Sequence, residues 1–362
     1  MTRFVQVVVL ALLMAAAPAV AQVAPDLGEI RQKTSLTADD RSRIQAYVQQ
    51  EVQVMLTNMD PDRRGMVAAR ENILEEVQSA ENRTEAYRQA FAEEALAVLA
   101  KTAEKAVSQP ARVNFVMTLA RLQVIEAAPL LQSALADPYA ASRYWAAKGL
   151  AMLAPKIVAR VVPRLEGEIA DSIEKMLQTR QQHTMVLIQL FDALGKLDHE
   201  RAHDVLAAGV VQVAKGLDAS DPVVRRMVSE AIRSLERAYS REVRPDAKKN
   251  LLLAYAALCA HIMPPIDVSP VPAGYARLMA ELNASLEQIT GEDVGFEASD
   301  PLALQKLALL EWVERLARTK RIPKRPEMPA AVEQAVKEGQ SGGGATTGKA
   351  ANAAMPADKA GT

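Results

Sequence analysis

The sequence predicts an all-α protein built as a stack of helical hairpins, and three observations predict it. A twelve-residue layout recurs four times with its apolar residues at helical spacing. Its copies begin 31, 44 and 38 residues apart, a spacing in the range of two-helix repeat units. Only 4% of the 362 residues are aromatic, so Ala and Leu must supply most of the core, which suits helix packing better than a β-sandwich.

The layout is clearest in Val224 to Leu235, V-R-R-M-V-S-E-A-I-R-S-L, and returns in Ala111 to Leu122, Ser142 to Leu153 and Val186 to Leu197. Arg112, Arg143 and Arg225 hold the second place, with Leu187 the exception. Leu119, Leu150, Leu194 and Ile232 hold the ninth place, and Leu122, Leu153, Leu197 and Leu235 the last. Small residues such as Ala147, Gly149 and Ala231 stand just before the ninth place, giving a narrow apolar stripe that another helix can approach closely. Asp137-Pro138 and Asp221-Pro222 precede two copies. Proline suits a first helical turn because the N–H it lacks would have no helical partner there.

These residues resemble the second helices of HEAT repeats, which often read V-R-x-x-A-x-x-A-L-x-x-L after an Asp-Pro turn. The resemblance covers roughly Gln109 to Met263. It implies a right-handed superhelical stack of the HEAT or armadillo-like kind, of bacterial type, and it carries no catalytic residue. The chain departs from the family pattern in its uneven spacing and at Leu187. Asp221 also stands four residues before its Arg where Asp137 stands six before, which counts against a regular Asp-to-Arg ladder between neighbours.

Taken in order, residues 1–21 carry one positive charge at Arg3, an apolar run from Phe4 to Ala17 and small residues at Ala19-Val20-Ala21. This is the layout of a secretory signal peptide, and the run is short for a membrane span and interrupted by Pro18. The chain is therefore expected to be exported, periplasmic or extracellular, with Gln22 first in the mature form and no transmembrane span.

Residues 22–108 are expected to form a helical capping region. Thr37-Ala38-Asp39-Asp40 caps a helix with Ile44, Tyr47, Val48, Val52, Met55 and Leu56 on one face. A turn follows at Met59-Asp60-Pro61, then helices at about Arg63 to Ser79 and Thr84 to Val107. This region lacks the register and would cover the apolar face of the first repeat.

Residues 109–321 form the repeat region. Partner helices are expected at about Ile125 to Ala136, Lys156 to Ile169, Glu200 to Leu217 and Ala247 to Met263. After Pro264-Pro265 come Tyr275 to Ile289 and Leu302 to Lys320, joined by T-G-E-D-V-G-F. There Gly291 and Gly295 supply left-handed turn positions and Phe296 plugs the last hairpin. That joint, with Trp312, is similar to a terminal element of some bacterial HEAT-containing proteins. Residues 322–362, rich in Pro, Ala, Gly and Lys with no aromatic residue, are expected to be largely disordered.

The 43 basic and 44 acidic residues nearly cancel, which argues against bulk attraction to nucleic acid or an acidic membrane. The single cysteine, Cys259, lies in the apolar run Leu251 to Ile262, so no internal disulfide is expected and the thiol reads as a buried small hydrophobe.

His199-Glu200-Arg201-Ala202-His203 matches the H-E-x-x-H spacing of zinc peptidases. Its surroundings do not match. Arg201 and Asp204 are charged, and the extended pattern would need Gly at Leu206 and His at Gly209. The preferred reading is the exposed opening turn of a repeat helix, with Asp198 and Glu200 near its positive end. Gly343 to Ala350 approaches a phosphate loop, but no strand or helix flanks it.

Basic residues cluster around the fourth register helix, and Arg226, Arg233 and Arg237 are spaced to share one side of it. Acidic Glu230, Glu236 and Glu242 interleave with them, which favours a salt-bridged face over an acid-binding one. The expectation is an exported, non-enzymatic scaffold that holds a protein partner without a cofactor, with Arg226, Arg233 and Arg237 as the candidate face. Two alternatives are a zinc hydrolase on His199, Glu200 and His203, and a binder of anionic envelope polymer.

Overall fold

The computed structural model describes residues 25–57, 64–179, 182–218, 220–262, 274–296 and 300–326. The expected signal peptide, the expected Met59-Asp60-Pro61 turn, the phosphate-loop-like segment and the residues beyond Pro326 lie outside the described residues. Among the described residues the secondary structure is helical throughout, with thirteen α-helices and no strand. None of these helices is long and apolar enough to cross a membrane. The chain divides into two compact units after Leu130.

The first unit holds α1 (Ala38–Thr57), α2 (Arg64–Gln78), α3 (Glu85–Thr102) and α4 (Gln109–Leu122). The cap at Thr37 forms reciprocally: Thr37 N donates to Asp40 Oδ2 at 2.9 Å, and Asp40 N donates to Thr37 Oγ1 at 3.2 Å. Lys33, 2.7 Å away, and the Thr37 amide hold the Asp40 carboxyl down at about 2. Helices α1 and α2 form one hairpin and α3 and α4 a second. The two stack with α1 against α3 and α2 against α4. Of the three helices that lack the register, α3 thus forms a hairpin with the register helix α4, and α1 and α2 form one with each other.

Buried Glu76 ties this unit to its N-terminal segment. It accepts from Arg31 at 2.6 Å, from Arg83 at 3.0 Å and from the Tyr87 hydroxyl at 2.8 Å. Burial works to raise its pKa, but those donors outweigh burial and hold it below the ordinary glutamate value. A carboxylate buried with three donors is stable where a lone one would protonate.

Helix α5 (Ala128–Ala134) spans the division. The second unit contains α6 (Ala140–Ala159), α7 (Pro163–Thr179), α8 (Thr184–Lys196), α9 (Glu200–Ala214), α10 (Pro222–Arg241), α11 (Pro245–His261), α12 (Tyr275–Thr290) and α13 (Leu302–Arg318). They lie in two rows, α6, α8, α10 and α12 in one and α7, α9, α11 and α13 in the other. The register segments within this unit are all in the first row. Leu150, Leu194 and Ile232 of the ninth place and Leu153, Leu197 and Leu235 of the last are each 0% exposed, so these places are the core. Small residues allow the close approach: a Cβ added at Gly195 of α8 would meet Ser234 Cα of α10 at 2.6 Å.

The α6–α7 boundary differs from expectation. A partner helix was expected over about Lys156 to Ile169. Instead α6 runs through Pro155 to Ala159, with the ring solvent-exposed on the helix. The turn falls at Arg160 to Val162, where Val161 takes a left-handed φ of 53°, and Pro163 opens α7.

Both Asp-Pro turns form as expected from their residues. Asp137 Oδ1 accepts from Tyr139 N at 2.8 Å, and Asp221 Oδ1 accepts from Val223 N at 2.7 Å. Gly291 and Gly295 adopt φ of 69° and 90°, and Phe296 and Trp312 are buried. Cys259 is fully buried in α11, which pushes its thiol up to about 12.

Candidate partner-binding surface and adjoining cavity

Because the ninth and last places are buried, the third or fourth, seventh, and tenth or eleventh places of each first-row helix meet solvent. On α6 these are Tyr144, Trp145, Lys148 and Met152; on α8, Gln189, Asp192 and Lys196; on α10, Arg226, Glu230 and Arg233. Tyr144 and Trp145 pack edge to face with centroids 5.5 Å apart, and Lys148 Nζ lies 4.5 Å from the Trp145 ring centroid.

The three candidate arginines differ in what they already hold. Arg237 reaches Glu230 at 2.7 Å and Asp192 of α8 at 3.4 Å. Arg233 pairs with Glu230 at 3.0 Å and Glu281 of α12 at 3.6 Å. Asp192 also takes Lys196 at 2.7 Å. These pairs lace α8, α10 and α12 together. Arg226 is exposed and has no ion pair among the described residues. Of the four cations on the stripe itself, Lys196 and Arg233 hold carboxylates, while Arg226 and Lys148 have none among the described residues.

The H-E-x-x-H segment is not simply an exposed turn. His199 caps α9, its Nδ1 accepting from Arg201 N at 3.1 Å, and Glu200 is exposed. His203 is only 3% exposed, a correction to the exposed-turn reading. Its Nδ1 lies 2.9 Å from buried Glu242 Oε2, and its Nε2 is buried without a hydrogen-bond partner. Glu242 also accepts from Arg244, which reaches Asp204 at 3.1 Å, and these contacts, Arg244 foremost, hold the Glu242 carboxyl down at about 2. Residue 209, where the extended pattern would place a third ligand, is glycine and offers no side chain, and a Cβ there would crowd Leu177 Cδ1 at 2.9 Å. No group of three or more metal-ligating side chains occurs among the described residues.

Among the described residues, the second-place arginines have main-chain partners. Each turns back on the loop leading into its own helix. Arg112 donates to Ala106 O at 2.8 Å, Arg143 to Asp137 O and Pro138 O at 3.0 Å, and Arg225 to Ser220 O at 2.8 Å. The unequal Asp-to-Arg spacing is thereby absorbed, because the acceptor is a main-chain carbonyl five or six residues back. Sequence reasoning found the recurrence but not this role, and the constant reach to a turn was the available signal.

Where Leu187 replaces that arginine, a cavity of about 460 Å³ opens between the hairpins α7–α8 and α9–α10. Its apolar lining is Leu177, Leu187, Val213, Leu217, Val224 and Met227. Its polar lining is Gln178, Thr179, Gln182, Thr184 and Gln212. Compared with protein-family models, with curated proteins and with solved structures, the chain matches none, so its functional reading rests on its own residues.

Proposed function

We propose that the chain is an exported, non-enzymatic scaffold of HEAT-like design that holds a protein partner on the α6–α8–α10 row. The observation that carries this reading is the solvent-facing stripe of that row. At one end it presents a half-buried Tyr144–Trp145 pair with Lys148, and on α10 the unpaired Arg226. Aromatic and arginine side chains of this kind dominate binding energy at protein interfaces, and two cations without local carboxylates favour an acidic partner segment. The laced pairs of Arg233 and Arg237 make those residues braces for the row, which leaves Arg226 as the working member of the three.

The test is affinity capture from the protein's own envelope fraction, comparing the wild-type chain with a Trp145→Ala/Arg226→Glu variant of equal helicity. A protein enriched by the wild type and lost with the variant supports the reading. Identical captures from both, or loss of every captured species in moderate salt with only polymer recovered, would count against it. N-terminal sequencing of the exported chain should begin at Gln22.

A further inference from the structure

We propose that the cavity beside Leu187 takes an uncharged, extended peptide segment, one aliphatic side chain entering its apolar floor while the flanking backbone amides meet its glutamine rim. The proposal rests on the reading of the chain as a protein-binding scaffold. The register supplies the first ground. In the other three copies the second-place arginine folds onto its own turn. Leu187 cannot make that bond, and it lines the cavity instead.

The second ground is charge. Among the described residues that line it no side chain is ionised, although Asp, Glu, Lys and Arg make up 24% of the chain. A charged ligand would lose its hydration there and find no counter-ion among those lining side chains, whereas a neutral one has no ionic hydration to lose.

The third ground is hydrogen-bonding capacity. Three glutamine amides and the Thr184 hydroxyl both donate and accept, and the Thr179 hydroxyl, which donates to Lys175 O at 2.8 Å, can still accept. A peptide backbone offers one donor and one acceptor per residue. A hydrocarbon tail offers neither. Part of the rim is already fixed. Gln182 donates to Met176 O at 3.1 Å and accepts from Arg143 Nε at 3.2 Å, and Gln212 Nε2 donates to Leu177 O at 3.4 Å. Such preorganisation lowers the ordering cost of binding. The volume is in the usual range for ligand sites.

The test uses the purified chain carrying 13C-labelled Leu, Val and Met methyl groups. It is titrated with acetyl-Ala-Ala-Leu-Ala-Ala-amide, with versions bearing Asp or Lys at the centre, with maltotriose and with decanoate. The neutral peptide is expected to shift the Leu187, Leu217 and Met227 methyls with a Kd below about 1 mM, and the charged versions to bind about tenfold more weakly or less.

Leu187→Arg gives the place the residue its sister copies use. Gly216→Phe fills space in which a new Cβ meets no atom within 4 Å. Each should abolish the shifts without lowering the melting temperature, and Gly216→Phe serves alone if Leu187→Arg does not fold. Equal binding of the charged peptides, shifts by maltotriose or decanoate in place of the peptide, or no shift by any probe would overturn the proposal. Partner capture that survives while the peptide fails to bind would sink the cavity alone. Peptide binding with no partner captured would sink the scaffold reading and leave the cavity standing.

Discussion

A Gly195→Ala substitution adds one methyl group where α8 and α10 come closest. The new Cβ would lie 2.6 Å from both Cα and Cβ of Ser234, against roughly 3.5–4.0 Å for an ordinary carbon contact. The two helices must therefore part by about 1 Å at that point. Two effects oppose each other. Alanine is favoured over glycine inside a helix by roughly 1 kcal/mol. Overpacking costs about 1–3 kcal/mol, and the upper end applies because the obstacle is main chain, which no rotamer change can move.

The parting also loosens Leu194, Leu197, Ile232 and Leu235, all fully buried at this interface. The expected net loss is about 2 kcal/mol, or about 4–8 °C in melting temperature for a unit of this size. Thermal and urea melts followed by circular dichroism read it directly. Gly216→Ala, at a position with open space around it, should leave the midpoint unchanged. If Gly195→Ala melted at or above the parent, helix propensity would have won, and the close approach of the register helices would not be what orders the row.

Leu150→Ala, at a fully buried ninth place, should cost about 2–5 kcal/mol in urea unfolding; an unchanged midpoint would show that the ninth place is not core. His203→Ala should cost about 1–3 kcal/mol, because it leaves buried Glu242 short of a partner; a variant as stable as the parent would refute that role. Acid titration tests the same carboxylate. Its folded pKa of about 2 is below its ordinary 4.5, so its stabilisation is complete above the ordinary value and lost as pH falls toward 2. The wild-type chain should lose stability across that window more steeply than Glu242→Gln, and parallel curves would contradict the assignment.

The fold was legible wherever one local signal sufficed. The ninth and last register places, the Thr37–Asp40 cap and both Asp-Pro turns depend on residues a few positions apart, and each formed as read. What escaped depended on distant partners or on which side of a helix faces water. Lys156 was read as the start of a partner helix, yet α6 continues through Pro155, whose ring lies on an exposed side, to Ala159. His203 looked exposed because Glu200, Arg201 and Asp204 surround it. Its partner Glu242 is 39 residues away. The step from His203 to Leu206 and Val210, all buried on α9, was the local sign of a core-facing side chain.

The candidate arginines show the same limit from another side. Spacing placed Arg226, Arg233 and Arg237 on one helix, but only the neighbouring helices reveal that Asp192 and Glu281 already hold two of them. A charge on a helix surface is available to a partner only after its cross-helix neighbours are counted. The second register place makes the complementary point. An arginine there bonds back to its own turn, and the copy that carries Leu187 instead borders a cavity while Leu194 and Leu197 stay fully buried. A repeat built this way can alter what one hairpin end presents while its core contacts persist, because the residue that seals the turn and the residues that stack the helices occupy different places in the register.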